Sequence, residues 1–354
     1  MANTTITDLF LMHQNLYPLM QAQDYVKLAY QSAFGCGHMV SSYEACLARL
    51  LDERKCETGF ADREYIGGGY FRLYLKDDGF PLSTETIARM FYESAREVTE
   101  EDKAEFFHSL DALCALAREK KIAPTEDEIA SAIQKFKDGD FSPVSHSDVY
   151  RNAYHPSYRV ISMDFYRILP QISELEKAAS YNVYGLVVAI DGMCASGKTT
   201  LGNLLSKALG ANLVHMDDFF LPPEKRTKER LSTPGGNIDS ERFLEEVLIP
   251  LRNLSTFYYR PFDCSTMSLS PDVVFVDSCY ISIVEGSYSC HPDLIGYYNK
   301  TFFVKTDEKT QIERIRKRNG EKMLKRFIDE WIPMENMYFE AFSIEDKASY
   351  TIYT

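Results

Sequence analysis

The chain has 354 residues, of which 45% are hydrophobic and 26% are charged, and its formal net charge is −13. No apolar run approaches the roughly 18 residues that cross a bilayer. The first residues lack the pattern of a secretory signal, and the acidic balance without a Lys/Arg stripe argues against nucleic acid as a partner. These features predict a cytoplasmic protein without a membrane or nucleic-acid partner, and the length favours two domains over one.

Residues 1–180 are predicted to form a mainly α-helical domain with a small β element. Thr125 and Glu128 have the spacing of a capping box at the start of a helix. Apolar residues recur at the i, i+3, i+4 spacing of an amphipathic helix in the segments 24–34, 41–54, 83–96, 101–120 and 125–136.

The rest of this half is predicted to be less regular. Residues 65–75 predict a turn that feeds an alternating strand, and residues 137–156 predict a loop. A helix over 163–180, interrupted near Pro170, leads into the second half. The eight cysteines are scattered without a C-x-x-C pair, which is typical of reduced thiols rather than of disulfides or zinc ligands.

No residues in the first half have a spacing that is typical of a catalytic or ligand-binding motif. The string at 34–38, FGCGH, is either a functional turn or a helix end capped by glycine, and it lacks the partners of a metal site. The glycines at 67–69 fit a mobile loop or a hairpin turn, and 155–159 fit a linker. Three roles stay open for this half: part of an acceptor site, a regulatory pocket or the surface of a homodimer.

Residues 181–354 alternate between strand and helix patterns. This order predicts a doubly wound, mostly parallel sheet with helices on both faces. The predicted strands cover 186–190, 212–215, 280–284, 301–305 and 350–353, and the predicted helices cover 199–209, 240–252 and 307–318.

A complete G-x-x-x-x-G-K-T loop follows the first strand of this series, with the sequence GMCASGKTT over 192–200. In such a P-loop, backbone N–H groups cradle the α/β-phosphates of a nucleotide, Lys198 reaches the β/γ-phosphates, and the Thr199 hydroxyl ligates Mg²⁺. The sequence therefore predicts ATP and Mg²⁺ as cofactors, with GTP as the alternative nucleotide. The residues predicted to bind the nucleotide are Gly192, Ala195, Ser196, Gly197, Lys198, Thr199 and Thr200.

Carboxylates follow two later strands. Asp217 comes after the strand 212–215, which we expect to lie next to the P-loop strand, and Glu285 with Gly286 ends the strand 280–284. Ligands bind at the carboxyl ends of parallel strands. One carboxylate there can accept a proton from an attacking hydroxyl, and another can hold Mg²⁺. The residues predicted to bind Mg²⁺ are Thr199, Asp217 and Glu285. The alternative for Asp217 is a turn cap.

Arginines on the following predicted helix form the last part of the candidate site. Arg314 and Arg318 are four residues apart and share a helix face, so both guanidinium groups can stabilise the transferring phosphoryl group. The alternative is a solvated basic helix face.

Several strings together resemble the uridine kinase and phosphoribulokinase superfamily, which includes nicotinamide riboside kinases. The resemblance covers about 184–354. It implies ATP-dependent phosphorylation of a small-molecule hydroxyl, with Asp217 as general base, Glu285 at the metal, and Arg314 with Arg318 on a lid. Asp239 corresponds to a residue that contacts ribose hydroxyls. The matching strings are GMCASGKTT, MDDFFLPP, PGGNIDSERF, YRPFD, IVEGSY and RIRKRNG…WIPMENMY.

The chain departs from uridine kinases where they recognise the pyrimidine. A Tyr, a His and an Arg of that family correspond here to Phe262, Met267 and Leu269. Because these side chains cannot reproduce the polar contacts, uridine is disfavoured as the acceptor. The shorter lid and the segment 327–333 resemble nicotinamide riboside kinases instead. The residues predicted to bind the acceptor are Asp217, Asp239, Phe262, Asp263 and Tyr288.

Two hypotheses of function follow. The first is a small-molecule kinase in which Lys198, Asp217 and Glu285 converge on MgATP, with a nucleoside or similar metabolite as acceptor. The second is an ATP-sensing regulatory switch whose helical half binds a partner. The Asp217 and Glu285 pair favours the kinase, because a sensor needs no base directed at a hydroxyl.

Overall fold

A computed structural model of the chain describes residues 4–53, 63–75, 82–139 and 142–354. The chain forms two compact units, Met1–Ser173 and Glu174–Thr354. Residue 54 of the predicted helix 41–54 and residues 140–141 of the predicted loop lie outside the described residues. Among the described helices, none combines the length and the apolar character that a membrane crossing requires.

The first unit is mainly helical, as predicted. Its strands are β1 (Arg63–Tyr65), β2 (Tyr70–Tyr74) and β3 (Tyr158–Ser162), which form an antiparallel sheet with β2 in the centre. Its helices are α1 (Ile6–Leu16), α2 (Ala22–Phe34), α3 (Tyr43–Glu53), α4 (Thr84–Glu93), α5 (Glu100–Arg118), α6 (Glu126–Asp138), α7 (Asp148–Tyr154), α8 (Met163–Arg167) and α9 (Leu169–Tyr181). The division between the units falls within α9.

Local signals explain the predicted elements that the structure confirms. Thr125 accepts a hydrogen bond from the N–H group of Glu128, and the Glu128 carboxylate accepts from Thr125, so the capping box is present. Gly35 has a φ of 60° and caps the end of α2. The string at 34–38 is therefore a helix end capped by glycine, one of the two alternatives for it. The glycines at 67–69 form the turn between β1 and β2, with φ angles of 82°, 55° and 80°.

Three predictions for this unit are wrong. Strand β2 is buried at every position rather than alternating, because Arg72 is paired inside the unit with Glu64 and Gln31. Part of the predicted loop is helix α7, which Ser147 caps by accepting the Tyr150 N–H group. The predicted linker 155–159 ends in strand β3.

The second unit contains the predicted α/β fold. Its helices are α10 (Lys198–Leu209), α11 (Lys228–Ser232), α12 (Ser240–Phe243), α13 (Ile249–Arg252), α14 (Glu308–Arg326), α15 (Ile332–Phe342) and α16 (Ile344–Lys347). Its strands are β4 (Leu186–Gly192), β5 (Asn212–His215), β6 (Phe257–Tyr259), β7 (Phe262–Asp263), β8 (Ser268–Leu269), β9 (Val274–Val276), β10 (Ile281–Glu285), β11 (Lys300–Lys305) and β12 (Tyr350–Tyr353). A π-helical turn, Leu244–Leu248, joins α12 to α13, and another, Phe327–Trp331, joins α14 to α15. Short 3₁₀ segments span Met216–Phe219, Pro223–Lys225 and Ile295–Tyr297 in this unit and Gly37–Met39 in the first unit.

The central sheet is parallel, with the strand order β12-β11-β4-β10-β5. Helix α10 packs on one face, where Gly202 lies against the Glu285 side chain. The other face carries Val187, Val214 and Val284, which pack in one core with residues of α12 and α15. The doubly wound fold is therefore confirmed.

One expectation about strand order is wrong. Strand β10 separates β5 from the P-loop strand β4, because β10 pairs in parallel with both. In this register Glu285 is opposite both Ile190 and His215. The carboxyl ends of the three strands consequently lie side by side, so that Asp217 follows the second strand from β4 and Glu285 ends the first.

Candidate active site

The P-loop joins β4 to α10 and needs glycine at its first position. Gly192 has a φ of 134°, and a Cβ atom there would lie 2.0 Å from the Val304 carbonyl oxygen of β11. Gly197 has a φ of 99° immediately before α10. The backbone conformation and the tight contact with β11 thus account for both motif glycines.

The functional groups of the loop lie at the start of α10. The Lys198 ammonium group is buried and donates hydrogen bonds of 2.8 Å to the carbonyl oxygens of Gly192 and Met193. The N–H groups of the first helical turn, including those of Lys198, Thr199 and Thr200, have no intrahelical partner. Together with the positive end of the helix dipole they can bind an anion such as a phosphate.

The next feature is a buried carboxylate, Asp191, that sequence reasoning missed. It accepts hydrogen bonds from the N–H groups of Gly192, Tyr288 and Cys290 and from the Tyr338 hydroxyl, at 2.7–3.1 Å. Burial raises the pKa of Asp191 to about 6, and these donors oppose the rise. Asp191 therefore joins the P-loop strand to the turn after β10 and to α15.

Two of the three residues predicted to bind the metal, Thr199 and Glu285, are in contact, and the third, Asp217, makes no hydrogen bond to either of them. The Thr199 hydroxyl donates to the Glu285 carboxylate, at 3.1 and 3.2 Å from its two oxygens. The His215 Nδ1 atom lies 2.5 Å from Glu285 Oε1, and this hydrogen bond raises the pKa of His215. A hydroxyl and a carboxylate fit Mg²⁺, which prefers oxygen ligands and uses few protein groups when it also binds phosphates. In the described part of the chain, no cluster of His, Cys, Asp and Glu has the arrangement of a metal site made by protein ligands alone.

Asp217 lies on the 3₁₀ segment Met216–Phe219 directly after β5. Its Oδ1 atom is beside Gly286, 3.3 Å from where a Cβ atom would stand. The residue is exposed to solvent. Crowding by protein atoms raises its pKa, the negative charges of Glu285 and Glu335 raise it further, and Lys198 opposes the rise.

The Asp217 carboxylate makes no hydrogen bond to any described residue, so the alternative of a turn cap has no support from its contacts. Its neighbour differs: Asp218 accepts a hydrogen bond of 2.8 Å from the Tyr259 hydroxyl. An exposed carboxylate without a protein partner is available to accept a proton from a ligand.

The two predicted lid arginines have different surroundings. Arg314 donates to the Ala195 carbonyl oxygen at 3.3 Å and to the Thr354 hydroxyl at 2.9 Å, which places it at the P-loop. Arg318 instead donates to the Asn319 side chain, with its guanidinium 6.0 Å from the Phe327 ring centre. Helix α14 breaks at Gly320, where φ is 76° and ψ is 169°.

The other predicted acceptor residues are less accessible than Asp217. Asp239 is buried, caps α12 and pairs with Lys225 at 2.8 Å. The Phe262 ring is 5% exposed on β7, so it offers no open surface for stacking. The Asp263 carboxylate accepts hydrogen bonds from Ser265 within its own turn.

Tyr288 completes the predicted set. It is buried, has a φ of 73°, and its ring centre lies 4.9 Å from that of Tyr338. Near the departures from uridine kinases, Met267 is 36% exposed and Leu269 is 46% exposed. Asp217 is thus the most exposed of the predicted acceptor residues, and Asp263 is partly exposed.

No protein-family model matches the sequence, and no curated protein is detectably similar to it. Solved structures do resemble the chain. A possible uridine kinase from Bacillus stearothermophilus is 21% identical over 52% of this chain and 99% of its own, with a TM-score of 0.40. A protein assigned as a fructose transport system kinase from a Silicibacter species is 21% identical over 51% and 97%, with a TM-score of 0.43. The D-glycerate 3-kinase from Cryptococcus neoformans is 18% identical over 48% and 85%, with a TM-score of 0.36.

Helix α15 supplies two further residues at the P-loop that sequence reasoning missed. The Glu335 carboxylate accepts hydrogen bonds from the Cys194 N–H group at 2.8 Å and from the Ser287 hydroxyl at 2.6 Å. Three residues further on, Tyr338 bonds Asp191. Residues at this spacing share one face of a helix. The only available signal was the string IPMENMY, which carries both residues but does not indicate which way they point.

Proposed function

We propose that the chain is an ATP-dependent kinase that phosphorylates a hydroxyl group of a small molecule. The observation that carries this proposal is the Asp217 carboxylate, which is exposed and has no hydrogen-bond partner among the described residues. It is close enough to Lys198, Glu285 and Glu335 for their charges to shift its pKa. Its neighbour Asp218, by contrast, accepts a hydrogen bond from the Tyr259 hydroxyl.

The P-loop supports ATP as the phosphoryl donor. Its N–H groups and Lys198 suit the phosphates, and Lys198 would exchange its contacts with Gly192 and Met193 for phosphate oxygens. Thr199 and Glu285 would hold Mg²⁺, which neutralises charge on the transferring group when it is bound.

In the proposed reaction Asp217 accepts the proton of the acceptor hydroxyl. The hydroxyl oxygen then forms a bond to the γ-phosphorus, the bond from that phosphorus to the bridging oxygen breaks, and ADP leaves with the electron pair. Arg314 contacts the P-loop at the Ala195 carbonyl oxygen and would need to exchange this contact for the phosphoryl oxygens to stabilise the charge that develops on them. Arg318 would need to change its contacts with Asn319 and Phe327 to do the same.

The finer proposal concerns the acceptor, which we infer to be a nucleoside or a similar hydroxyl-bearing metabolite other than uridine. It rests on the resemblance of the second half to nucleoside kinases and on the apolar residues Phe262, Met267 and Leu269 at the positions that recognise a pyrimidine in uridine kinases.

The test is ATP consumption by the purified full-length chain against a panel of acceptors, with mass spectrometry of the products. The panel contains nucleosides including uridine and nicotinamide riboside, sugars and hydroxy acids. We expect turnover that depends on one acceptor class and yields a phosphorylated product. ATP hydrolysis that ignores every acceptor and responds to a protein partner would contradict the kinase and support the alternative of a regulatory switch.

A further inference from the structure

Glu335 is a buried carboxylate in direct contact with the P-loop. It lies on α15, is 6% exposed, and accepts the Cys194 N–H group with one oxygen and the Ser287 hydroxyl with the other. A negative charge is unexpected beside a loop whose N–H groups and lysine suit an anion. Burying a carboxylate also carries a desolvation cost, which its hydrogen bonds must offset.

The neighbouring peptide groups of the loop are held by the same part of the chain. Gln311 donates to the Cys194 carbonyl oxygen at 2.9 Å, Arg314 donates to that of Ala195 at 3.3 Å, and Thr354 donates to that of Ser196 at 2.7 Å. Residues 311–354 therefore contact the loop tip, 194–196, at successive positions.

This arrangement fixes the direction of the loop's N–H groups. In a trans peptide the carbonyl and the following N–H group point in opposite directions. Holding the carbonyl oxygens of Cys194 and Ser196 toward residues 311–354 consequently turns the N–H groups of Ala195 and Gly197 the other way. Those N–H groups belong to the part of the loop that cradles phosphates.

Glu335 differs from the other contacts because it holds two elements at once. Its Cys194 contact fixes the loop tip, and its Ser287 contact fixes the turn that follows Glu285 at the end of β10. The Ser287 hydroxyl is also 3.3 Å from the Gly192 carbonyl oxygen. One side chain thereby sets the distance between the phosphate-binding loop and the strand end that carries the metal-binding candidate.

We propose that Glu335 is a positioning residue that holds the P-loop tip and the turn after β10 in the geometry that binds a nucleotide. It acts through Cys194 and Ser287 and does not itself touch the nucleotide. The proposal rests on the nucleotide binding that the proposed function requires, but not on the transfer of a phosphoryl group.

The test measures MgADP binding to the full-length chain by calorimetry, alongside its melting temperature. We expect Glu335→Ala to weaken MgADP binding by about ten- to a hundredfold, because it leaves the Cys194 N–H group and the Ser287 hydroxyl without their acceptor. Glu335→Gln keeps an acceptor oxygen for the Cys194 N–H group, and its amide N–H can donate to the Ser287 hydroxyl, which can in turn donate to the Gly192 carbonyl oxygen. It should therefore bind within about threefold of the wild type. Glu340→Ala, an exposed site on the same helix, is the matched control and should bind like the wild type.

Three outcomes would overturn the proposal, two of them with the Glu335 variants. If folded Glu335→Ala binds MgADP like the wild type while its melting temperature falls, Glu335 serves stability alone. If Glu335→Gln binds as weakly as Glu335→Ala, the charge matters rather than the hydrogen-bonded position. If Glu335→Ala fails to fold, Ser287→Ala serves as the second variant, because it removes one of the two contacts of Glu335. We expect Ser287→Ala to weaken MgADP binding by about three- to tenfold. Unchanged MgADP binding in Ser287→Ala would also overturn the proposal. A wild type that binds MgADP but phosphorylates no acceptor would contradict the proposed function and leave this inference standing.

Discussion

The Thr199 hydroxyl donates a hydrogen bond to Glu285, with oxygen–oxygen distances of 3.1 and 3.2 Å. Thr199 lies in the first turn of α10, and Glu285 is the last residue of β10, so the contact joins the P-loop to the neighbouring strand. Both oxygen-bearing groups can ligate Mg²⁺. The His215 Nδ1 atom also contacts the Glu285 carboxylate, 2.5 Å from Oε1.

Glu285→Gln should weaken the use of Mg²⁺. The amide keeps an acceptor for Thr199 but loses the charge that attracts the cation, so we expect activity at limiting Mg²⁺ to fall by about 10- to 100-fold and to recover partly at high Mg²⁺. A Mg²⁺ titration of the initial rate measures this. An unchanged Mg²⁺ requirement would exclude Glu285 as a metal ligand.

Lys198→Ala should abolish turnover and weaken nucleotide binding. The substitution removes the ammonium group predicted to reach the β/γ-phosphates, and no other lysine lies in the loop. Initial rates and calorimetry with MgATP measure both effects. Lys207→Ala, at an exposed position on the same helix α10, is the control and should behave like the wild type. Retained phosphoryl transfer in Lys198→Ala would contradict the phosphate role.

Asp217→Asn should separate binding from chemistry. The amide cannot accept the acceptor's proton, so we expect kcat to fall by about 10²- to 10⁴-fold while MgATP binding is unchanged. Asp218→Asn is the neighbouring control, because that carboxylate accepts a hydrogen bond from Tyr259 and should affect stability more than rate. A near-normal kcat in Asp217→Asn would exclude it as the general base.

Contacts between residues close in sequence were predictable, and the structure brings the predicted P-loop and strand ends together. Gly192, Lys198 and Thr199 belong to one local sequence motif. Asp217 and Glu285 each come after a strand that can be recognised by its run of apolar residues. The order of the strands was not predictable, since nothing local shows that β10 lies between β4 and β5.

Other contacts between distant residues could not be predicted for the same reason. Cys194 and Glu335 are 141 positions apart, and their contact depends on how α15 returns to the sheet. The predicted pairing of Arg314 with Arg318 assumed one regular helix face. Their side chains have different partners, and the non-helical backbone at Gly320 ends the regular helix two residues after Arg318. In the first unit, β2 departs from alternation because Arg72 is buried with Glu64, a pairing that hydrophobic periodicity cannot show.

Asp191 should make stability fall as the pH rises. Burial raises its pKa from 3.8 to about 6, so between these values the folded state holds a proton that the unfolded chain has released. The bound proton stabilises the folded state by about 3 kcal/mol at a pH below the pKa of Asp191 in the unfolded chain. This stabilisation is lost as the pH rises through the pKa of Asp191 in the folded state. The difference in unfolding free energy between wild type and Asp191→Asn, measured by denaturant titration from about pH 4 to about pH 7.5, should decrease by that order. An increase over this range would show that the hydrogen bonds outweigh burial.

Gly68 and Gly69 offer a matched test of the hairpin turn in the first unit. Both have positive φ, at 55° and 80°, so alanine strains the backbone at either position by about 1–2 kcal/mol. A Cβ atom on Gly68 would lie 1.6 Å from the Ser32 carbonyl oxygen of α2, whereas one on Gly69 meets no atom within 4 Å. We therefore expect Gly68→Ala to cost about 1–3 kcal/mol more than Gly69→Ala in denaturant unfolding, and amide exchange near Ser32 to rise in Gly68→Ala only. Equal losses in the two variants would show that the turn does not pack against α2 in this way.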